Sequence, residues 1–310
     1  MTDYLPEGEL LKLPSNALHT ANVAALEDIM KKGIIAEAIC ILCDSNHNLI
    51  VDLGFAQGFI PRSEGAIGID DGTTRDIALI SRVNKPVCFV VTEIKADNNG
   101  GKYRIILSRK KAQKKCIENY ISRLKPGDII NAKITHLEAF GAFVDIGCGI
   151  PSLIPIDLIS ISRISHPADR FEVGQNIRAV VKSTNDNKIT LTHKELLGTW
   201  QENADLYSIG ATVTGIVRSV ENYGIFVELT PNLAGLAEVK EGVEAGNMVS
   251  VYIKAIIPEK MKVKLIIVDN FSSQNDFKPA PCRYFGEETH IDSWVYSTDS
   301  SSKNVRTDFV

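Results

Sequence analysis

The stretch EAFGAFVDIGCGI, residues 138–150, decides how the chain is read. In a β-strand successive side chains point to opposite faces, so Ala142, Val144 and Ile146 share one side while Gly141, Phe143 and Asp145 share the other. The aliphatic side is the expected core. The opposite side should be wet, yet it carries Phe143, with a second aromatic, Phe140, close before it.

The same pattern recurs downstream. ENYGIFVELTPNLAGLAEV (221–239) matches EAFGAFVDIGCGIPSLIPI (138–156), with Tyr223 standing for Phe140, Gly224 for Gly141, Phe226 for Phe143 and Glu228 for Asp145. Each copy opens with a Gly-led strand, at 126–137 and 209–220, has a second Gly-led strand at 173–183 and 245–255, and closes with a short β-run, NKITLTHKE (187–195) or MKVKLIIVD (261–269). Five strands with Gly-marked turns in so short a segment fit a small closed barrel of the OB type. A more divergent third copy lies upstream in GIIAEAICILCD (33–44), NHNLIVDLGFAQGFIP (46–61), NKPVCFVVTEIK (84–95) and KYRIILSRKK (102–111). There Ile50 takes the Phe143 position and His47 the Phe140 position, so this copy lacks the aromatic pair.

Between copies the apolar period becomes helical. SRKKAQKKCIENYISRL (108–124) places Ala112, Cys116, Ile117, Tyr120, Ile121 and Leu124 on one stripe, and HKELLGTWQENADLY (193–207) is its counterpart. A further helix is expected from Asn22 to Lys32, stopped by Gly33. The expected fold is all-β and modular, with three tandem five-stranded OB barrels joined by short α-helices. Its parts are an N-terminal extension with a helix (1–32), a first barrel with a basic connector helix (33–124), a second barrel with connector helix (125–206), a shortened third barrel (207–269), and a C-terminal tail with one candidate strand in THIDSWVYST and a polar end (270–310).

Composition narrows the function. The chain has 310 residues, 44% of them hydrophobic and 23% charged, with a net charge of −4, so no global positive field draws it onto nucleic acid. Such binding has to come from local basic patches and stacking surfaces. No signal-peptide pattern and no membrane-length apolar run occurs, and the six cysteines suit a reducing compartment, so a cytoplasmic protein away from membranes is expected. Cys40 and Cys43 form a lone CxxC in an apolar run, read as structural. With no P-loop, GxSxG, HExxH or spaced ligand set, neither an enzyme, a metal site nor a cofactor is expected.

OB barrels hold single strands on aromatics standing on the open sheet face, with basic side chains on the phosphates. Packing of these aromatics between domains is the competing explanation. At these residues the chain resembles a known family. PGDIINAKITHLEAFGAFVDIGCGIPSLIPIDLISISRISHPADRFEVGQNIRAVV (126–181) is similar to an S-one RNA-binding domain, the repeated OB module of ribosomal protein S-one, and SRISHPADRFEVGQ (162–175) is its most telling piece. The resemblance covers 33–269 and leaves the tail unaccounted for.

The resemblance implies a binding face of Phe140, Phe143, Lys133, Arg163 and His166 in the middle copy, and of Tyr223 and Phe226 in the third. The family's third-strand His is Pro155 here, and the third copy has Glu238 at that position and Ile216 at the Lys133 position, so weaker binding is expected of it. His166-Pro167 could instead cap a loop. Arg163 and Arg170 flank it, which suits a phosphate-facing segment. The connector from Arg109 to Lys125 sets seven basic residues against Glu118 alone, and Lys110, Lys111, Lys114 and Lys115 are candidate phosphate contacts, with a solvated helix face as the plainer alternative. The implied function is non-catalytic binding of single-stranded RNA, as mRNA in translation, with the aromatic-less first repeat docking protein on the ribosomal small subunit. The alternatives are an OB-fold protein-binding adaptor and an RNA-targeting subunit of a ribonuclease.

Overall fold

The structure is a computed structural model describing residues 4–96, 103–185, 188–271 and 282–309. Fifteen of its strands close into three five-stranded barrels. The first comprises β1 (Ala36–Cys43), β2 (Leu49–Asp52), β3 (Gln57–Ile60), β4 (Pro86–Ala96) and β5 (Tyr103–Ser108). The second comprises β6 (Ile129–Glu138), β7 (Gly141–Asp145), β8 (Pro151–Pro155), β9 (Asn176–Asn185) and β10 (Lys188–Thr192). The third comprises β11 (Thr212–Glu221), β12 (Gly224–Thr230), β13 (Leu233–Ala237), β14 (Met248–Ile257) and β15 (Lys262–Phe271). In each barrel the third and fifth strands run parallel and close the sheet, as in β3–β5, β8–β10 and β13–β15. The modular all-β fold expected from the sequence is what the chain adopts.

Alternation explains the barrels strand by strand. Ala142, Val144 and Ile146 are fully buried, and so are their counterparts Ile225 and Val227. The glycine after each leading aromatic is required by closeness: a Cβ on Gly141 would stand 2.5 Å from the Ile154 carbonyl oxygen, and one on Gly224 2.7 Å from that of Ala237. The side of β7 opposite the core is drier than alternation suggests, because Asp145 is buried and its carboxylate accepts the N–H groups of Gly147 (2.8 Å) and Gly149 (3.0 Å).

The chain forms two compact units, 1–124 with 145–151, and 125–144 with 152–310. In the first, the helix Val23–Lys32 starts at Asn22, whose side chain accepts the Ala25 N–H, and ends at Gly33 in the left-handed region. Glu7 is buried against Arg109, with Arg109 Nε 2.6 Å from its carboxylate, and Glu37 accepts the N–H groups of Gly8 and Leu11. The connector helix is shorter than its apolar stripe suggested: Ser108 caps Arg109–Asn119, and a 3-10 turn, Ile121–Arg123, follows.

In the second unit the expected connector at 193–207 breaks into a 3-10 turn, Lys194–Leu197, and a helix, Trp200–Ala204, started by a Thr199/Glu202 capping box. The break falls at Gly198, whose backbone is left-handed and where a Cβ would meet the Phe285 ring at 2.7 Å. The tail is far from featureless. β16 (Ser293–Val295) and β17 (Arg306–Asp308) form a hairpin that buries Trp294 and Tyr296 in the hydrophobic cluster of the third barrel. Tyr296 Oη donates to the Asn232 carbonyl oxygen (2.6 Å), and Trp200 N–H donates to the Tyr296 carbonyl oxygen (3.1 Å).

Candidate nucleic-acid interface

β7 and the turn before it hold the first aromatic pair. Phe140 is 56% exposed and Phe143 half-buried, and their rings meet edge to face at 5.8 Å and 89°. The third barrel repeats this arrangement, with Tyr223 70% exposed, Phe226 half-buried, and the rings at 6.1 Å and 87°. In each pair the inner ring props the outer one toward solvent, the geometry aromatic pairs prefer. The middle barrel adds a group the sequence pattern missed: exposed His136 on β6 lies over Phe143 at 6.3 Å with planes 30° apart, and its Nε2 is 2.6 Å from Glu138. Lys133, also on β6, is half-buried and pairs across to Asn176 on β9.

The loop after β8 is divided in its uses. Arg163 is exposed and makes no hydrogen bond or ion pair among the described residues. His166 caps a 3-10 turn: its Nδ1 accepts the Ala168 N–H (3.1 Å), and Asp169 accepts the His166 N–H in return. Arg170, a candidate flank of a phosphate-facing loop, is buried and donates to Glu228 at 2.5 Å, and Arg218 donates to the same carboxylate at 2.7 Å. Burial pushes the Arg170 guanidinium below its ordinary value, and the Glu228 carboxylate opposes the shift. The loop is further held by Ser162 N–H to the Pro231 carbonyl oxygen and Ile161 N–H to Asn232 Oδ1, both 3.0 Å. It is therefore more a brace against the third barrel than an open basic loop, with Arg163 as its exposed cation.

The connector lysines lie in the first unit. Lys110 is ion-paired with Asp70, and Lys115 Nζ donates to the Gly33 carbonyl oxygen at 2.5 Å. Lys111 and Lys114 are exposed, and neither ammonium has a partner among the described residues. In the first barrel His47 occupies a left-handed turn with Nδ1 3.7 Å from Asp76, and Ile50 is half-buried beside Phe59 on β3.

Strand register identifies basic residues that motif matching did not. In every barrel the fourth strand carries a bulge against the fifth, leaving Thr92, Lys182 and Lys254 as the extra residues, and in the third barrel a second shift leaves Val268 extra on the fifth strand. Bulges re-aim side chains, and here they turn out exposed lysines in the second and third barrels. On the fifth strand exposed Lys188 and Lys262 correspond, while Thr190 in the second barrel is matched by exposed Lys264 in the third. The signal for them was the alternation of NKITLT and MKVKLI, legible once the outward side is known. Among the described residues no group of His, Cys, Asp or Glu is arranged to hold a metal, and no helix is long and apolar enough to cross a membrane.

Comparison with known proteins finds a matching domain and similar chains. Residues 123–194 match the S1 (S-one) RNA binding domain. The chain is 30% identical over 194 residues to the small ribosomal subunit protein bS1 of Rhodopseudomonas palustris, covering 62% of this chain and 33% of that one. It is 32% identical over 199 residues to the bS1 homolog of Bacillus subtilis, covering 62% and 49%. To bS1 of Staphylococcus aureus it is 30% identical over 239 residues, covering 71% and 58%. The chain thus spans between a third and three fifths of the length of these relatives. With the aromatic pair of β7 inside the matched segment, the chain carries an S1 RNA binding domain and is similar, over some two thirds of its length, to the bacterial ribosomal proteins bS1.

Proposed function

We propose that this protein binds single-stranded RNA without catalysing a reaction on it, acting in the cytoplasm on mRNA during translation and meeting the ribosomal small subunit through its first barrel. The observation that carries this is the duplicated edge-to-face pair, Phe140–Phe143 and Tyr223–Phe226, raised on equivalent strands of two barrels. Bases of any identity stack on such platforms, which suits a ligand of variable sequence. Phosphates would be held by Lys133, Arg163 and the exposed Lys188 around the first pair. Around the second, Arg218 is tied to Glu228, which leaves Lys262 for that role. The names of the bS1 relatives support the ribosomal setting.

Titration of a fluorescent single-stranded RNA into the full chain and its Phe143→Ala variant tests this. Losing one stacked base costs roughly 1–3 kcal/mol, so affinity should fall about 5- to 150-fold. Wild-type protein that fails to bind RNA, or a variant that unfolds early while binding normally, would return the aromatics to a packing role and favour a protein-binding adaptor.

A further inference from the structure

The third barrel has a surface that the family resemblance leaves unassigned. On the outer side of β14 and β15, Tyr252 pairs with Ile266, the bulged Lys254 stands beside the pair formed by Ala255 and Lys264, and Lys262 follows on the same side. Tyr252, Lys254, Lys262, Lys264 and Ile266 are all exposed, and none of the three ammonium groups has an ion-pair partner among the described residues. A patch that sets aliphatic and aromatic surface among unpaired cations is chemically matched to a polymer of flat bases and phosphates. Register ties this patch to the aromatic pair. Phe226 pairs with Leu236, and Leu236 pairs with Lys264, so the lysine lies two strands from Phe226, about 10 Å away across the sheet. In the second barrel the matching position is Thr190, and the row there lacks the cation.

Resting on the RNA-binding function proposed above, we infer that the third barrel carries a second RNA track, in which Lys254 and Lys264 hold backbone phosphates and Tyr252 with Ile266 supports a base, continuous through Leu236 with Tyr223 and Phe226. The track ends toward Asp269, which pairs with Ser250 and would repel a further phosphate.

The test is fluorescence anisotropy with a labelled oligouridylate on the full chain across a salt series. The Lys254→Gln/Lys264→Gln double variant removes two phosphate contacts, and its salt slope should fall by about 1.4, at roughly 0.7 per phosphate on a single strand. At 0.15 M salt that corresponds to about tenfold weaker binding. Tyr252→Leu keeps apolar cover over the sheet and should also weaken binding, without altering the slope. If Phe143→Ala loses affinity while both β14–β15 variants keep wild-type affinity and slope, the second track is wrong and the RNA-binding function stands. Binding that fails in the wild type overturns both. A labelled protein partner retained by wild type and lost by the double variant, with RNA titrations unchanged, would assign the patch to protein instead.

Discussion

The second and third barrels share strand order, an aromatic pair and a bulged lysine, and they differ in what they do with the acid two residues past the inner aromatic. Asp145 accepts backbone N–H groups, those of Gly147 and Gly149 in its following turn and that of Glu7 from the N-terminal segment, whereas Glu228 is held by the guanidinium groups of Arg170 and Arg218. One extra methylene exchanges backbone N–H partners for basic side chains, and the same strand position becomes an anchor between the second and third barrels. The third barrel gives up Arg218 as a cation for this purpose, and its open positive charge moves to β14 and β15. Repeats that look like copies in sequence thus divide labour through a single acid.

The largest effect should come from breaking that anchor. Glu228→Ala leaves the Arg170 guanidinium without its ion-pair partner and Arg218 with Asp169 alone, 3.6 Å away, and loss of one partner of a buried pair costs about 3–5 kcal/mol. Urea unfolding should show it, and a change below about 1 kcal/mol would mean that the ion pairs do not hold the barrels. Next in size is a pH effect that separates the two barrels. Past β10, His193 is fully buried between Ile159 and Tyr284, with rings of Phe171 and Tyr284 packed edge-on, and burial pushes its pKa down to about 4. The unfolded chain then binds a proton that the folded chain refuses, so stability is complete above pH 6.5 and drains away as pH falls toward 4. The loss is about 3 kcal/mol. The third barrel contains no histidine between residues 207 and 271. Hydrogen exchange at pH 5 should therefore loosen amides of β9 and β10 before those of β14 and β15, and equal loosening would contradict the contrast.

Smaller effects concern RNA. Phe143→Ala should cost more affinity than its counterpart Phe226→Ala, because the first platform also has His136 over it, and equal losses would make the barrels equivalent binders. Smallest is the connector: Lys111→Gln/Lys114→Gln should lower the salt slope by at most about 1.4, whereas Lys110→Gln/Lys115→Gln, which removes ammonium groups already engaged, should leave it unchanged.

Much of the fold was legible because strand alternation and repetition are local. Ala142, Val144 and Ile146 identify a core side without knowledge of any partner, and Gly141 and Gly224 mark where backbones close together. The fate of individual charges was not legible. Arg170 and Lys110 look like phosphate contacts in the sequence, but their acids, Glu228 and Asp70, come from distant strands and loops. His136 was missed because its stacking on Phe143 depends on how β6 crosses β7, and Lys254 because a bulge shifts the alternation that would have shown it. The strand in the tail is legible in THIDSWVYST, but its partner is not, because Trp294 and Tyr296 find their places only against a barrel completed earlier in the chain.

That last feature bears on synthesis. Domains generally fold as units as the chain emerges, but the third barrel finishes its hydrophobic cluster with side chains encoded well past its final strand. While the growing chain is shorter than Tyr296, the surface that later receives Trp294 and Tyr296 stays uncovered. A ribosome stalled between Phe271 and Trp294 would present a barrel more open to protease and to chaperones than the released protein, so the hairpin acts as the clasp that marks the chain as finished with this barrel.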